Sequence, residues 1–246
     1  MTGAKQILLA GFAAMSLLLS ACRSTSDAGV AEAPPLIVSP RPLTSASYTA
    51  EYTQDGALPF TCEVKLGTNG RIRRDYIWKD DNGADRRVSV VIAGEKAFKI
   101  EDGKATDLMD ADTAQARFFA GLVLAPDTVI SGTGGKNDAG KHSSDGVVPC
   151  RTYAMELKGV SGVESCIAAT DPKSDLWSGL TVRMSDDPDR SFSTSFHRYE
   201  SESGVTYPSQ IVSSTGNGAQ VRCVVRDVKI NPELPDELFR LPDTNG

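Results

Sequence analysis

The stretch Phe60-Thr61-Cys62-Glu63-Val64-Lys65-Leu66, then Gly67-Thr68-Asn69-Gly70, then Ile72-Arg73-Arg74-Asp75-Tyr76-Ile77-Trp78, decides the fold class. Its first run alternates apolar and polar residues strictly, the period of a strand with one buried face. Asn69-Gly70 stands where a hairpin turn needs positive φ. In the second run Ile72, Arg74, Tyr76 and Trp78 fall on one face. Moving outward, Asp81-Asn82-Gly83 turns into a strand carrying Val88, Val90 and Ile92. Gly94-Glu95 turns into Ala97 to Ile100, and Glu101-Asp102-Gly103 turns toward Leu108. Turn signals spaced by roughly 10 to 12 residues mark an antiparallel meander. Upstream, Ser45 to Thr53 reads as one more strand.

A single helical pattern interrupts the strands. Ala111, Ala114, Phe118 and Leu122 recur at helical spacing with Phe119 beside them. Asp110 or Asp112 can cap the start and Pro126 ends it, which predicts a helix over Asp112 to Leu124. Ser131 to Gly146 is glycine-rich and otherwise polar, and reads as a long loop. Strand patterns resume at Val148 to Leu157, Val163 to Ala169, Leu180 to Met184, Ser191 to Tyr199, Thr206 to Ser213 and Ala219 to Ile230. The class is α+β, mainly β. A twisted sheet of about ten strands curls. The expected architecture is therefore an unclosed antiparallel β half-barrel over residues 45–246, one domain, with one or two helices on its concave face. The helix should bury Phe118, Phe119 and Leu122 there.

The amino terminus fixes the expected compartment. Lys5 provides a positive start, Ile7 to Leu19 is an apolar segment too short to span a bilayer, and Leu19-Ser20-Ala21-Cys22 follows. This resembles a bacterial lipoprotein signal. The resemblance implies cleavage after Ala21, lipidation of Cys22, and, with Arg23 next, delivery to the outer membrane. The competing reading is an ordinary signal peptide with an incidental cysteine. Two or three acyl chains, at about 0.8 kcal/mol per buried methylene, make attachment effectively permanent. Removing 21 of the 246 residues leaves 225; with Lys5 gone, 25 basic residues face 32 acidic ones. Such an acidic chain lacks the clustered Lys and Arg of a nucleic-acid binder. Residues 22–44, rich in Ala, Ser and Pro, read as a flexible tether. Four further cysteines, Cys62, Cys150, Cys166 and Cys223, fit two disulfides in an oxidising compartment. Cys150–Cys166 is favoured, since their midpoint falls at Lys158-Gly159 in a probable hairpin; Cys62–Cys223 is the remainder. Buried free thiols are the alternative.

The carboxy-terminal third carries a second resemblance. Phe196-His197-Arg198-Tyr199, Gly204-Val205-Thr206-Tyr207-Pro208, Val228-Lys229-Ile230-Asn231-Pro232 and Leu234-Pro235-Asp236-Glu237-Leu238-Phe239-Arg240-Leu241-Pro242 are similar, in that order, to the outer-membrane lipoprotein-sorting (LolA/LolB-like) family of carriers and receptors. Arg73-Arg74-Asp75-Tyr76 also fits. The resemblance implies an unclosed barrel with helical lid elements and an apolar interior that holds acyl chains of lipoproteins or related lipids. The long amphipathic helix that often precedes the family's first strand is replaced here by a proline-rich tether.

Chemistry is sparsely signalled. Gly132-Thr133-Gly134-Gly135-Lys136 lacks phosphate-loop spacing, because Ile130 stands at the first glycine's place and Asn137 follows the lysine. His142, in the expected loop, is a poor general base, and His197 reads as a half-buried strand residue. Asp186-Asp187-Pro188-Asp189 reads as a solvated turn in preference to a calcium site. The sequence thus predicts no enzyme activity, cofactor or metal. Trp78, Val90, Ile92, Phe98, Phe118, Phe119, Leu122, Leu180 and Val182 are candidate cavity-lining residues, with a filled core as the competing reading. Two functions remain: a non-covalent binder of lipid, acyl chains or lipoprotein cargo, or an envelope sensor or assembly scaffold of the same fold. The second is the role of the amino-terminal domain in envelope-stress sigma-factor regulators. Expected partners are the membrane through the anchor, lipid or lipoprotein cargo, and envelope proteins.

Overall fold

The computed structural model describes residues 42–124, 130–143, 146–157, 160, 162–185, 191–215 and 219–240. The signal segment, Cys22, most of the tether and the Asp186 to Asp189 turn lie outside them. In chain order the elements are β1 (Ala46–Gln54), β2 (Phe60–Leu66), β3 (Ile72–Lys79), β4 (Asp85–Ala93), β5 (Lys96–Glu101), β6 (Lys104–Asp107), α1 (Asp110–Leu124), β7 (Ile130–Ser143), β8 (Gly146–Leu157), β9 (Val163–Thr170), β10 (Trp177–Met184), β11 (Phe192–Glu202), β12 (Val205–Thr215) and β13 (Gln220–Ile230). The strands form one antiparallel sheet in the order β6-β5-β4-β3-β2-β1-β13-β12-β11-β10-β9-β8-β7. The sheet does not close, and β6 and β7 are its ends. Mainly β, antiparallel and unclosed is the class expected from the alternation.

The stretch read as a loop from Ser131 to Gly146 is instead mostly strand. β7 pairs with β8 from Ile130↔Leu157 to Ser143↔Gly146, with register shifts between Gly132 and Gly134 and between Gly134 and Lys136. Each shift leaves one residue unopposed and breaks the period of two. That is why no alternation announced this strand.

The chain divides into two compact units. One comprises Ile37–Val129, Arg198–Gln210 and Arg222–Gly246. Its meander β1–β5 has two distinct faces. Rows set by the pairing register put Tyr48, Val64, Arg74 and Val90 together on one, and Ser47, Lys65, Arg73, Val91 and Phe98 on the other. The first face receives α1, which packs on β2 and β3. The second receives a 3-10 turn, Asp236–Phe239, which meets β3 and β4. Because both faces are covered, Val88 to Ile92 of β4 is buried throughout instead of alternating.

The other unit comprises, among the described residues, Ile130–His197 and Ile211–Val221. Cys166, Ala168, Leu180, Val182, Thr194 and Phe196 are among its buried side chains along β9–β11, with Trp177 set edge-on to Phe196 at 6.2 Å. Here His197 points outward and is exposed, not half-buried as expected.

The expected disulfides do not form: Cys62, Cys150, Cys166 and Cys223 are buried and unbridged. β8 and β9 pair Ala154 with Ile167, so Cys166 comes opposite position 155. Cys150 lies five residues further along the strand, about 16 Å away at strand rise. A disulfide needs Cα atoms within roughly 7 Å. The hairpin centre is displaced from Lys158-Gly159, and that displacement defeats the pairing. Cys62 on β2 and Cys223 on β13 are separated by β1, about 10 Å across two strand spacings.

Candidate functional site

The sheet face beneath α1 is apolar at its centre but for one position, with Arg86, Lys99 and Glu101 towards its margin. Val64, Ile72, Val88, Val90 and Ile92 are all buried on it, and among them stands Arg74, 4% exposed. Arg74 belongs on this face because β3 has period two and Ile72 and Tyr76 flank it. Its guanidinium lies 4.9 Å over the Tyr76 ring. It donates to the Ala116 carbonyl oxygen of α1 at 3.4 Å, while its Nε finds no acceptor. Tyr48, one row-mate away, donates its hydroxyl to the Ala120 carbonyl at 3.0 Å. Two side chains of the sheet therefore hold the backbone of the helix four residues apart.

The helix sequence allows this approach. Ala116 and Ala120 are small, buried, and on one arc, so the sheet's side chains reach their carbonyls. Phe118 and Leu122 lie roughly half a turn round the helix from that arc and are buried too, while Phe119 is half-buried. Phe118 and Phe119 meet edge to face at 5.3 Å. From Ala120 to Leu124 every residue of the helix is buried, while Thr113, Ala114 and Arg117 nearer its start are half-buried.

Around Arg74 stand Tyr48, Tyr52, Tyr76, Cys62 and Cys223. Desolvation pushes Tyr76 up to about 12, with Arg74 opposing, and raises Tyr48 and Tyr52 as well. Desolvation likewise raises Cys62 and takes Cys223 to about 12. These groups are therefore neutral at ordinary pH. Desolvation works against the charge on Arg74. Arginine stays charged in any case. At the edge of the site Tyr52 stacks on Phe60 at 4.6 Å, and Phe60 tilts against Tyr76 at 6.1 Å.

The opposite face is arranged differently. Asp75, fully buried, accepts from Arg73 at 2.9 and 3.1 Å and from Ser89 at 2.5 Å, with Arg87 at 3.0 Å and Lys65 at 3.6 Å. Burial alone would raise this carboxyl; the hydrogen bonds from Arg73, Ser89 and Arg87 outweigh it and hold it at about 2. Arg73 also donates to the Leu238 carbonyl, and Arg71 pairs with Asp236 at 2.7 Å while lying over the Phe239 ring. This face is a charged clamp on the carboxy-terminal turn.

Of the nine cavity candidates, Trp78, Val90 and Ile92 share the Arg74 face, and Phe118, Phe119 and Leu122 are on α1. Phe98 pairs with Val91 and so belongs to the clamp face. Leu180 and Val182 lie in the other unit. Among the described residues no three His, Cys, Asp or Glu side chains gather as a metal site, and no helix is long and apolar enough to cross a membrane.

The fold recurs in solved structures. A LolA superfamily protein from Nitrosomonas europaea superposes with a TM-score of 0.53 at 12% identity, covering 82% of this chain and 91% of that one. The fold is LolA-like. A domain from Vibrio parahaemolyticus, assigned to outer membrane lipoprotein sorting, gives 0.52 at 10% identity over 80% and 89%. A DUF1329 family protein from Desulfovibrio piger gives 0.54 at 13% over 80% and 89%. No family profile matches the chain, and no curated protein matches it by sequence. In this LolA-like frame the motifs that carried the sequence resemblance are mostly scaffold. Asn231 fixes the start of β1, Phe239 plugs the clamp face, and Ser203-Gly204 makes the β11–β12 turn at φ 51° and 81°. Arg74 and Tyr48 were not singled out as site residues. The available signal was a charge at position 74, in register with the apolar-face residues Ile72, Tyr76 and Trp78.

Proposed function

We propose that the protein is a lipid-anchored envelope lipoprotein, tethered at Cys22 to the outer membrane, whose apolar sheet face binds acyl chains non-covalently beneath α1 and which performs no covalent chemistry. The observation that carries this reading is the cover on that face. It is a single helix, held to the sheet by the Tyr48 and Arg74 bonds and by small residues, not a second sheet. Such a cover can lift and leave a continuous apolar surface for a chain. The LolA-like fold and the Leu19-Ser20-Ala21-Cys22 signal both agree with it. One observation favours the alternative, a sensor or scaffold that recognises another envelope protein: Leu122 and Leu124 of α1 are already buried as a finished core would bury them. Titration of the mature chain with a fluorescent fatty-acyl probe separates the two. Saturable binding at micromolar concentration, with lipid co-purifying in native mass spectra, is the expected result. Absence of both leaves the scaffold reading.

A further inference from the structure

Several basic side chains of these two sheet faces have carboxylate partners. Lys65, Arg73 and Arg87 share Asp75, Arg86 has Asp80 at 2.9 Å, and Lys99 has Glu101 at 2.6 Å. Arg74 is more buried than any of them, yet among the described residues no carboxylate lies within ion-pair distance of it. Its neighbours are phenols and thiols, its bond to Ala116 is long for a charged donor, and its Nε is unsatisfied. A buried charge without a counter-charge is costly and persists where something else completes it.

We propose that Arg74 is an anion-binding site that receives the acidic headgroup, carboxylate or phosphate, of a single-chain amphiphile whose chain lies on the apolar face. This rests on the acyl-binding reading and adds to it the ligand's charge and its orientation. The planar guanidinium offers paired N–H donors that match a carboxylate or phosphate two at a time. Tyr52 and Tyr76 stand beside it with further hydroxyls that remain protonated and so can donate, while that of Tyr48 is engaged by Ala120. An entering anion would replace the stretched contact with α1 by charge-assisted bonds. Headgroup capture and release of the helix are then the same event. A neutral headgroup gives Arg74 nothing that the Ala116 carbonyl does not already give.

The test uses the mature chain and one chain length with three headgroups: dodecanoate, dodecyl phosphate and dodecanol, each competing at pH 8 with a bound fluorescent acyl probe. The better anion should displace the probe at a concentration about tenfold or more below dodecanol, the ratio expected for one hydrogen bond to a charged group. Whichever of the two anions leads identifies the headgroup. Arg74→Gln should bring the ratio to within about threefold, and Arg74→Lys should retain part of it because the point charge remains. Equal competition by all three ligands on the wild-type chain overturns the anion site while leaving acyl binding intact. So does a full preference surviving in Arg74→Gln. If that variant does not fold, the wild-type ratio alone decides. A chain that binds no probe at all overturns the acyl-binding reading first, and the anion site with it.

Discussion

At the scale of single residues, Asp75 and Arg74 are adjacent in sequence and opposite in circumstance. Strand geometry sends one to each face. Asp75 has Arg73, Arg87, Lys65 and Ser89 around it, with Glu63 sharing Lys65 and Arg87. Its carboxyl, held at about 2 against 3.8 unperturbed, stabilises the fold wherever the unfolded chain would also be ionised. The stabilisation is complete above about pH 4 and is lost as pH falls through about 2, and it amounts to roughly 2 kcal/mol. Urea denaturation at stepped pH should therefore show a loss of stability between these limits. Asp75→Asn should lack that loss, and at neutral pH should be destabilised by about 3 kcal/mol, because three cations lose their common acceptor. A variant that keeps the wild-type acid profile would assign the dependence to other carboxylates. Arg74 should behave in the reverse sense. Arg74→Met removes an unpaired buried charge, so the ligand-free protein should gain about 1 kcal/mol or more in the same assay; a loss would mean that the Tyr76 and Ala116 contacts outweigh the burial cost.

Among the elements, α1 is the one whose seat depends on what is missing from its side chains. Ala116 and Ala120 set the distance at which Tyr48 and Arg74 reach the helix backbone. Ala120→Leu should lift the helix from the sheet, costing about 1–3 kcal/mol through overpacking. It should also quicken hydrogen exchange along α1 relative to β3. Unchanged exchange in α1 would show that the helix is held chiefly from its Phe118 side. The same distinction explains what was legible in the sequence. β2, β3 and α1 were readable because their periods of 2 and 3.6 recur within a few residues. β7 was not, because two register shifts among its glycines erase the period and its pairing depends on β8. The disulfides were misread because a cysteine count carries no register. Two residues' displacement of the hairpin centre moves facing partners apart by several positions. Asp75 and Arg74 were visible as letters, but the partners of Asp75 come from β2 and β4, up to 14 residues away, and that of Arg74 from α1, 42 residues on.

For the whole molecule, the decisive join is between the first strand and the last. Asn231, with φ 52°, accepts from the Thr44 N–H at 2.8 Å, the Thr44 hydroxyl at 3.0 Å and the Ser45 N–H at 3.3 Å, and donates its own N–H to the Ser45 carbonyl. Asn231→Ala should cost about 1–2 kcal/mol, from the lost bonds and from a left-handed backbone that alanine tolerates poorly. Asn231→Gly should recover the backbone part only. If both variants match the wild type in denaturation midpoint, the join is held by the β1–β13 ladder without its cap. The strand order also has a temporal meaning. β1 leaves the ribosome first, yet its second neighbour arrives nearly the whole chain later, with bonded groups 187 positions apart in sequence. Until then β1 offers an unsatisfied ladder to any passing strand, which is the usual route to edge-to-edge association. The fold therefore has high contact order at its centre, where loop-closure entropy makes pairing slow. A chain halted or clipped before β13 keeps that ladder open. Completion of synthesis, more than any early helix or hairpin, is the event that commits this polypeptide to its native sheet.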